Sequence, residues 1–107
     1  MKRAELYRVR RPPGDTKPAR AFVVVSRQAL IDSSFSTVIC APVFTNYHGL
    51  PSEVPVGPAE GMKHECAIQC DGLMSMEKAR LTDFIGSLAP LRVRELDQAI
   101  ACATGII

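Results

Sequence analysis

No stretch of this sequence approaches the ~20 apolar residues that a membrane-spanning helix requires. The first apolar run, Phe22 to Ser26, is too short and too far along the chain for a secretory signal. These absences argue against a membrane or secreted class and lead to the expectation of a cytoplasmic protein with reduced cysteines. No internal repeat and no low-complexity tract is present. A large excess of one charge sign is missing too. Thirteen Lys and Arg against 11 Asp and Glu leave a formal +2, which excludes a nonspecific DNA coater. At 107 residues there is no room for separate cofactor and substrate domains, and a single domain over 1–107 is expected. What is there is a globular balance, with 47% hydrophobic and 22% charged residues. That balance excludes wholesale disorder, and the length suffices to bury about two-thirds of the unfolded surface.

The charges are unevenly spread. Lys2, Arg3, Arg8, Arg10, Arg11, Lys17, Arg20 and Arg27 crowd the first quarter against Glu5 and Asp15, and most acidic residues come later. This basic segment reads either as a polyanion-facing surface or as solvated strand edges protected from aggregation. The four cysteines contain no Cys-x-x-Cys pair. His64-x-Cys66-x-x-x-Cys70 has a superficial ligand spacing. On a strand, however, residues four apart lie about 13 Å from each other, too far to share a zinc ion. Buried free thiols are expected, with no metal site and no cofactor.

Glu5 to Arg10 alternate as a first strand. Arg11-Pro12-Pro13-Gly14-Asp15-Thr16-Lys17-Pro18 is a loop, and Lys17, with Arg20 just after it, is well placed for a ligand contact. Arg20 to Ser26 is a β-branched run that reads as a buried strand, with Arg20, Phe22, Val24 and Ser26 on one face. Arg27 to Ile31 can form one helical turn. Thr37 to Ala41 is a second central strand, which Pro42 is expected to turn into an edge or a bulge. Thr45 to Pro51 is a polar loop, and Glu53 to Val56 an edge strand marked by Pro55. Cys66 to Asp71 and Leu73 to Met76 are strand-like around a bend at Gly72, and Leu81 to Leu88 is one more strand. Then the period changes. Val93, Leu96, Ile100 and Ala103 form the apolar stripe of a helix that Pro90 starts and Gly105 stops. Five to seven short, strongly bent antiparallel strands and a C-terminal helix point to a small barrel.

The order of these pieces resembles the MazF/PemK family of toxins from type II toxin–antitoxin systems. Glu5-Leu6-Tyr7 is similar to the family's opening strand, and Arg20-Ala21-Phe22-Val23-Val24-Val25-Ser26 to its Arg-Pro-x-Val-Val-Val-Ser strand. Thr37 to Val43 resembles the Val-Ile-Val-Ala-Pro strand that a threonine normally follows, and Gly49 to Val54 the segment after it. Arg80-Leu81-Thr82-Asp83-Phe84-Ile85-Gly86-Ser87-Leu88 resembles Arg/Lys-Leu-x-x-x-Ile-Gly-x-Leu. Three positions depart from the pattern. Ala21 replaces a proline, Phe44 stands at the threonine position with Thr45 one residue later, and Met74 stands where many members have an arginine.

The resemblance implies an SH3-like barrel (MazF/PemK/CcdB-like) that cuts single-stranded RNA without a metal. In that reaction the 2′-hydroxyl attacks the adjacent phosphorus, leaving a 2′,3′-cyclic phosphate and a 5′-hydroxyl. The chemistry needs a proton acceptor, a proton donor and a stabiliser of the phosphorane charge. The resemblance assigns catalysis to Arg20 and Thr45. Arg20 suits charge stabilisation through its planar fork, and Thr45 can hydrogen-bond a phosphate oxygen. His48, three residues after Thr45, is a candidate from the residues themselves, because imidazole transfers protons near neutral pH. Lys17, Asn46, Tyr47 and His64 are expected to bind substrate, Tyr47 or Phe44 by stacking a base. The implied partners are single-stranded RNA, a second copy of the chain in a homodimer, and a cognate antitoxin with an acidic, partly disordered tail. Two other readings are a non-catalytic RNA- or antitoxin-binding member and a gyrase-poisoning toxin of the same fold. The absence of tryptophan, and hence of a Trp-Gly-Ile ending, counts against the last.

Overall fold

The computed structural model describes residues 1–10 and 20–107; the loop holding Lys17 lies outside the described residues. Among the described residues there are seven strands: β1 (Glu5–Val9), β2 (Arg20–Val24), β3 (Thr37–Phe44), β4 (Glu53–Val56), β5 (Cys66–Gln69), β6 (Met74–Glu77) and β7 (Asp83–Ser87). A short helix, α1 (Gln28–Asp32), follows β2, and α2 (Pro90–Ala103) closes the chain. All strand pairs are antiparallel, in the order β4-β5-β3-β2-β1-β7, with β6 paired to β3.

The centre of this sheet explains the uninterrupted apolar run of β2. Ala21 and Val23 join Leu6, Ala41, Val43, Val54 and Ile68 in one core. Phe22 and Val24 join Tyr7, Val9, Val38, Cys40 and Met76 in a second. Both faces of β2 are thus covered, so alternation between apolar and polar residues has no reason to appear. The expected face-sharing of Phe22 and Val24 holds.

Pro42 does not end its strand. β3 runs on to Phe44, and Pro42 is buried opposite Phe22. On its other side β3 changes partner, pairing with β6 through Thr37–Cys40 and with β5 at Val43 and Phe44. Pro42 falls in the gap between those partners, where a missing N–H breaks no ladder. The expected bend at Gly72 is a 3-10 turn, Cys70–Gly72, between β5 and β6. Cys70 therefore leaves the strand on which Cys66 stands, and both thiols are free and buried.

Two backbone segments approach closely at β7. A side chain at Gly86 on β7 would place its Cβ 2.3 Å from the Glu60 carbonyl oxygen. Only glycine allows the 3-10 turn Pro58–Glu60 after β4 to lie against β7. The Glu60 carboxylate, buried, accepts the Gly57 N–H at 2.6 Å and holds that turn in shape. Helix α2 buries Leu96 and Ala99 and packs across β4 and the Cys70–Gly72 turn, as its stripe predicts. Arg3 ties the opposite side down, donating to the Val25 carbonyl at 3.0 Å and pairing with Asp97 of α2 at 2.9 Å.

Candidate functional site

Strand register places the first two site residues. Ala21 pairs with Val43, so Arg20, one step further, faces Phe44 across the strands. The Arg20 guanidinium carbon lies 4.5 Å from the Phe44 ring centroid, a cation–π contact between exposed groups. Phe44 thus does something that the threonine of the resemblance would not, placing a ring beneath the arginine's guanidinium.

Two cavities adjoin this pair. One, about 250 Å³, is lined by Arg20 and Arg80 together with Phe22, Pro42, Met74 and Met76. The other, about 460 Å³, is lined by Phe44, Asn46, His48, Gln69, Asp71 and Gly72. Met74, at the position where the family pattern has an arginine, stands in the first cavity beside Arg80. A second cation therefore reaches the groove from the 3-10 turn Lys78–Arg80 instead of from β6.

The loop after β3 is held by a carboxylate. Glu53, only 6% exposed, accepts the backbone N–H of His48 at 3.1 Å and of Leu50 at 2.9 Å. The Gln69 side-chain amide also donates to it. Charge-assisted bonds of this kind are about twice as strong as neutral ones, so the loop carrying Asn46 and His48 is anchored at its far end. Asp71 in turn accepts the Ser52 hydroxyl proton at 2.6 Å.

Of the residues singled out in the sequence, Arg20, Asn46 and His48 converge on these cavities. Thr45 follows directly on β3 and is exposed; it lines neither cavity. Tyr47 is 53% exposed and lines neither. His64 sits before β5 with its Nδ1 3.5 Å from the Cys66 sulfur, and it too lines neither cavity. Four contributors are not singled out by the sequence: Arg80 begins a strand motif there, Gln69 and Asp71 are strand residues, and Glu53 is part of an edge strand. The one available signal was Glu53, an acidic residue inside an apolar Val-Pro-Val strand.

A curled antiparallel sheet of short strands with a C-terminal helix, carrying a cation–π pair beside two cavities, defines a small barrel-like fold. Residues 2–103 match the family described as PemK-like, MazF-like toxins of type II toxin–antitoxin systems, and the chain belongs to that family. It is 28% identical over 85 residues to Endoribonuclease MazF3 of Mycobacterium tuberculosis, covering 79% of this chain and 82% of that protein. In fold it resembles the M. tuberculosis toxin MazF-mt6, with a TM-score of 0.81 at 24% identity, covering 94% of this chain and 96% of the other. A mycobacterial endoribonuclease solved in complex with its cognate antitoxin superposes with a TM-score of 0.82 at 23% identity, covering 98% and 95%. Among the described residues, no helix is long and apolar enough to cross a membrane.

Proposed function

We propose that this protein is the endoribonuclease toxin of a type II toxin–antitoxin pair, acting as one domain on single-stranded RNA. The reaction is 2′-hydroxyl attack on the neighbouring phosphorus, giving 2′,3′-cyclic phosphate and 5′-hydroxyl ends, and it needs only side chains. One observation carries this reading: Arg20 lies over the Phe44 ring and lines one cavity together with Arg80. Two guanidinium forks in one groove suit a phosphodiester whose charge rises in the transition state. Arg20 stabilises the phosphorane. Arg80 supplies the second cation that Met74 cannot.

Arginine stays protonated near neutrality, so proton transfer falls to another group. His48, lining the adjoining cavity on an anchored loop, takes or gives the proton, and Thr45 hydrogen-bonds a phosphate oxygen from the strand end. Asn46, Tyr47, Lys17 and His64 hold the flanking nucleotides. The protein partner is an antitoxin with an acidic, partly disordered tail that competes with RNA for the basic groove. The toxin works as a two-fold dimer, for which the exposed Phe35, Ile39 and Phe84 offer apolar surface.

The test is incubation of a long mixed-sequence RNA with the purified protein in EDTA, beside Arg20→Ala. Discrete cuts bearing cyclic-phosphate ends are expected, reduced 100- to 1,000-fold in the variant, as when one transition-state donor is removed. Intact RNA with folded, antitoxin-free protein would overturn the proposal in favour of a binding module or a gyrase poison.

A further inference from the structure

The ring of Phe44 divides two chemically opposite surfaces. On one side stand the guanidinium groups of Arg20 and Arg80. On the other, Gln69 and Asp71 line the cavity of about 460 Å³. A carboxylate there repels phosphate, so the backbone of a bound strand belongs on the arginine side. The larger cavity, which Asn46 and His48 line as well, suits the uncharged base beside that phosphate.

The hydrogen-bonding sense of that cavity is set from behind. Glu53 is a buried carboxylate and can only accept hydrogen bonds. It therefore takes the amide N–H of Gln69, which leaves the Gln69 carbonyl oxygen for the cavity. Asp71 uses Oδ2 to accept from Ser52 and keeps Oδ1. Two acceptors thus line the cavity alongside Asn46 and His48, and an occupant that brings donors fits Gln69 and Asp71.

We propose that this cavity is a nucleobase pocket selective for guanine, next to the phosphate that Arg20 holds. Guanine is the RNA base whose Watson–Crick edge presents two adjacent donors, N1–H and the N2 amino group, a match for a carboxylate. Adenine and cytosine each offer one exocyclic amino group beside a ring acceptor, and that acceptor would face the Asp71 carboxylate. Uracil offers a single N–H between two carbonyls. Phe44 supplies an apolar ring at the pocket wall on which the base can pack. Asp71 and Gln69 are specificity-determining residues here, and Glu53 is the positioning residue that orients Gln69. The inference rests on single-stranded RNA being the substrate, and names the base it reads.

The test separates base reading from cleavage. Fluorescent all-2′-deoxy hexanucleotides lack the attacking hydroxyl. Each carries one guanine, adenine, cytosine or hypoxanthine in a uracil background, and binding is followed by anisotropy. The guanine oligonucleotide is expected to bind about 10- to 100-fold tighter than the others, the range of one good bidentate base contact. Hypoxanthine, which lacks the amino group, should lose most of that gain. Asp71→Asn should abolish the preference while leaving binding of the other oligonucleotides equal or tighter, since a repulsive charge is gone. A merely structural role for Asp71 would weaken all of them alike. Glu53→Gln supplies a second variant. Its new amide N–H forces Gln69 to turn over and present donors to the cavity, which should erase the guanine preference although no lining residue has changed. Equal binding of all bases, or a uniform loss in Asp71→Asn, would overturn the pocket. RNA cut in EDTA without guanine at a fixed distance from the cut would also overturn it, with the nuclease reading intact. Guanine-selective binding without any cleavage would keep the pocket and overturn the nuclease.

Discussion

Glu53 sits 6% exposed, with the N–H groups of His48 and Leu50 and the amide of Gln69 all donating to its carboxylate. Removing it leaves three donors without a charged acceptor, and the loss falls on both folding and the site. Glu53→Ala is expected to lower stability by about 1–3 kcal/mol, the usual result of stranding a buried hydrogen-bond partner. The same variant should slow RNA cleavage, because Asn46 and His48 ride on the loop it anchors. Urea unfolding and initial cleavage rates measured together check this; an unchanged urea midpoint would count against it. The Arg20–Phe44 contact belongs at this scale too. Phe44 looks like a defect in the family pattern when read along the chain, and becomes a support for the arginine once β2 and β3 are paired.

At the level of elements, the Pro58–Glu60 turn lies close against β7. Gly86 has no space for a Cβ, since the Glu60 carbonyl oxygen would lie 2.3 Å away. Backbone cannot yield there as a flexible side chain could. Gly86→Ala should therefore destabilise the protein by at least the ~1–3 kcal/mol typical of overpacking. It should lower the thermal midpoint by several degrees, about 4–8 °C per kcal/mol for a chain of this size. A melting temperature within a degree of the native protein would show that the two elements separate more readily than the contact implies. The Ile85-Gly86 pair that marked a family motif in the sequence thus has a steric reason.

At the scale of the whole molecule, burial raises the pKa of four acids among the described residues, Tyr7, Cys40, Cys66 and Cys70. Burial pushes the Cys40 thiol from its ordinary 9 up to about 12. Burial, with the charge of Asp71 adding, pushes the Cys70 thiol up to about 11. Burial first, then the hydrogen bond to Glu5 and its charge, pushes the Tyr7 hydroxyl from 10 up to about 12. In each case the folded pKa lies above the unfolded one. The stabilisation is therefore complete below about pH 9 and is lost as pH rises through the folded values near 11 and 12. Within that window each thiol withdraws up to about 1.4 kcal/mol per pH unit. The urea midpoint is expected to stay level from pH 7 to pH 8.5 and to fall clearly by pH 10.5. A midpoint level across the whole range would mean that these groups ionise without unfolding the core.

The sequence by itself determined the class of fold, the edge position of the Pro55 strand, the C-terminal helix from Pro90 onward and the candidacy of Arg20, Asn46 and His48. Those readings rest on local physics: alternation, proline chemistry, helical period and the order of short motifs along one chain. Only the tertiary structure decided that Pro42 stays within a strand, because the gap between β5 and β6 that tolerates it is formed by residues 23 or more positions away. It also decided that Arg80 joins Arg20 and that Glu53 orients Gln69. Those side chains meet through strand pairing between distant segments, and no local periodicity encodes which strand lies beside which. A groove made by five strands, two turns and a loop has its residue types in the sequence, and its arrangement only in the fold.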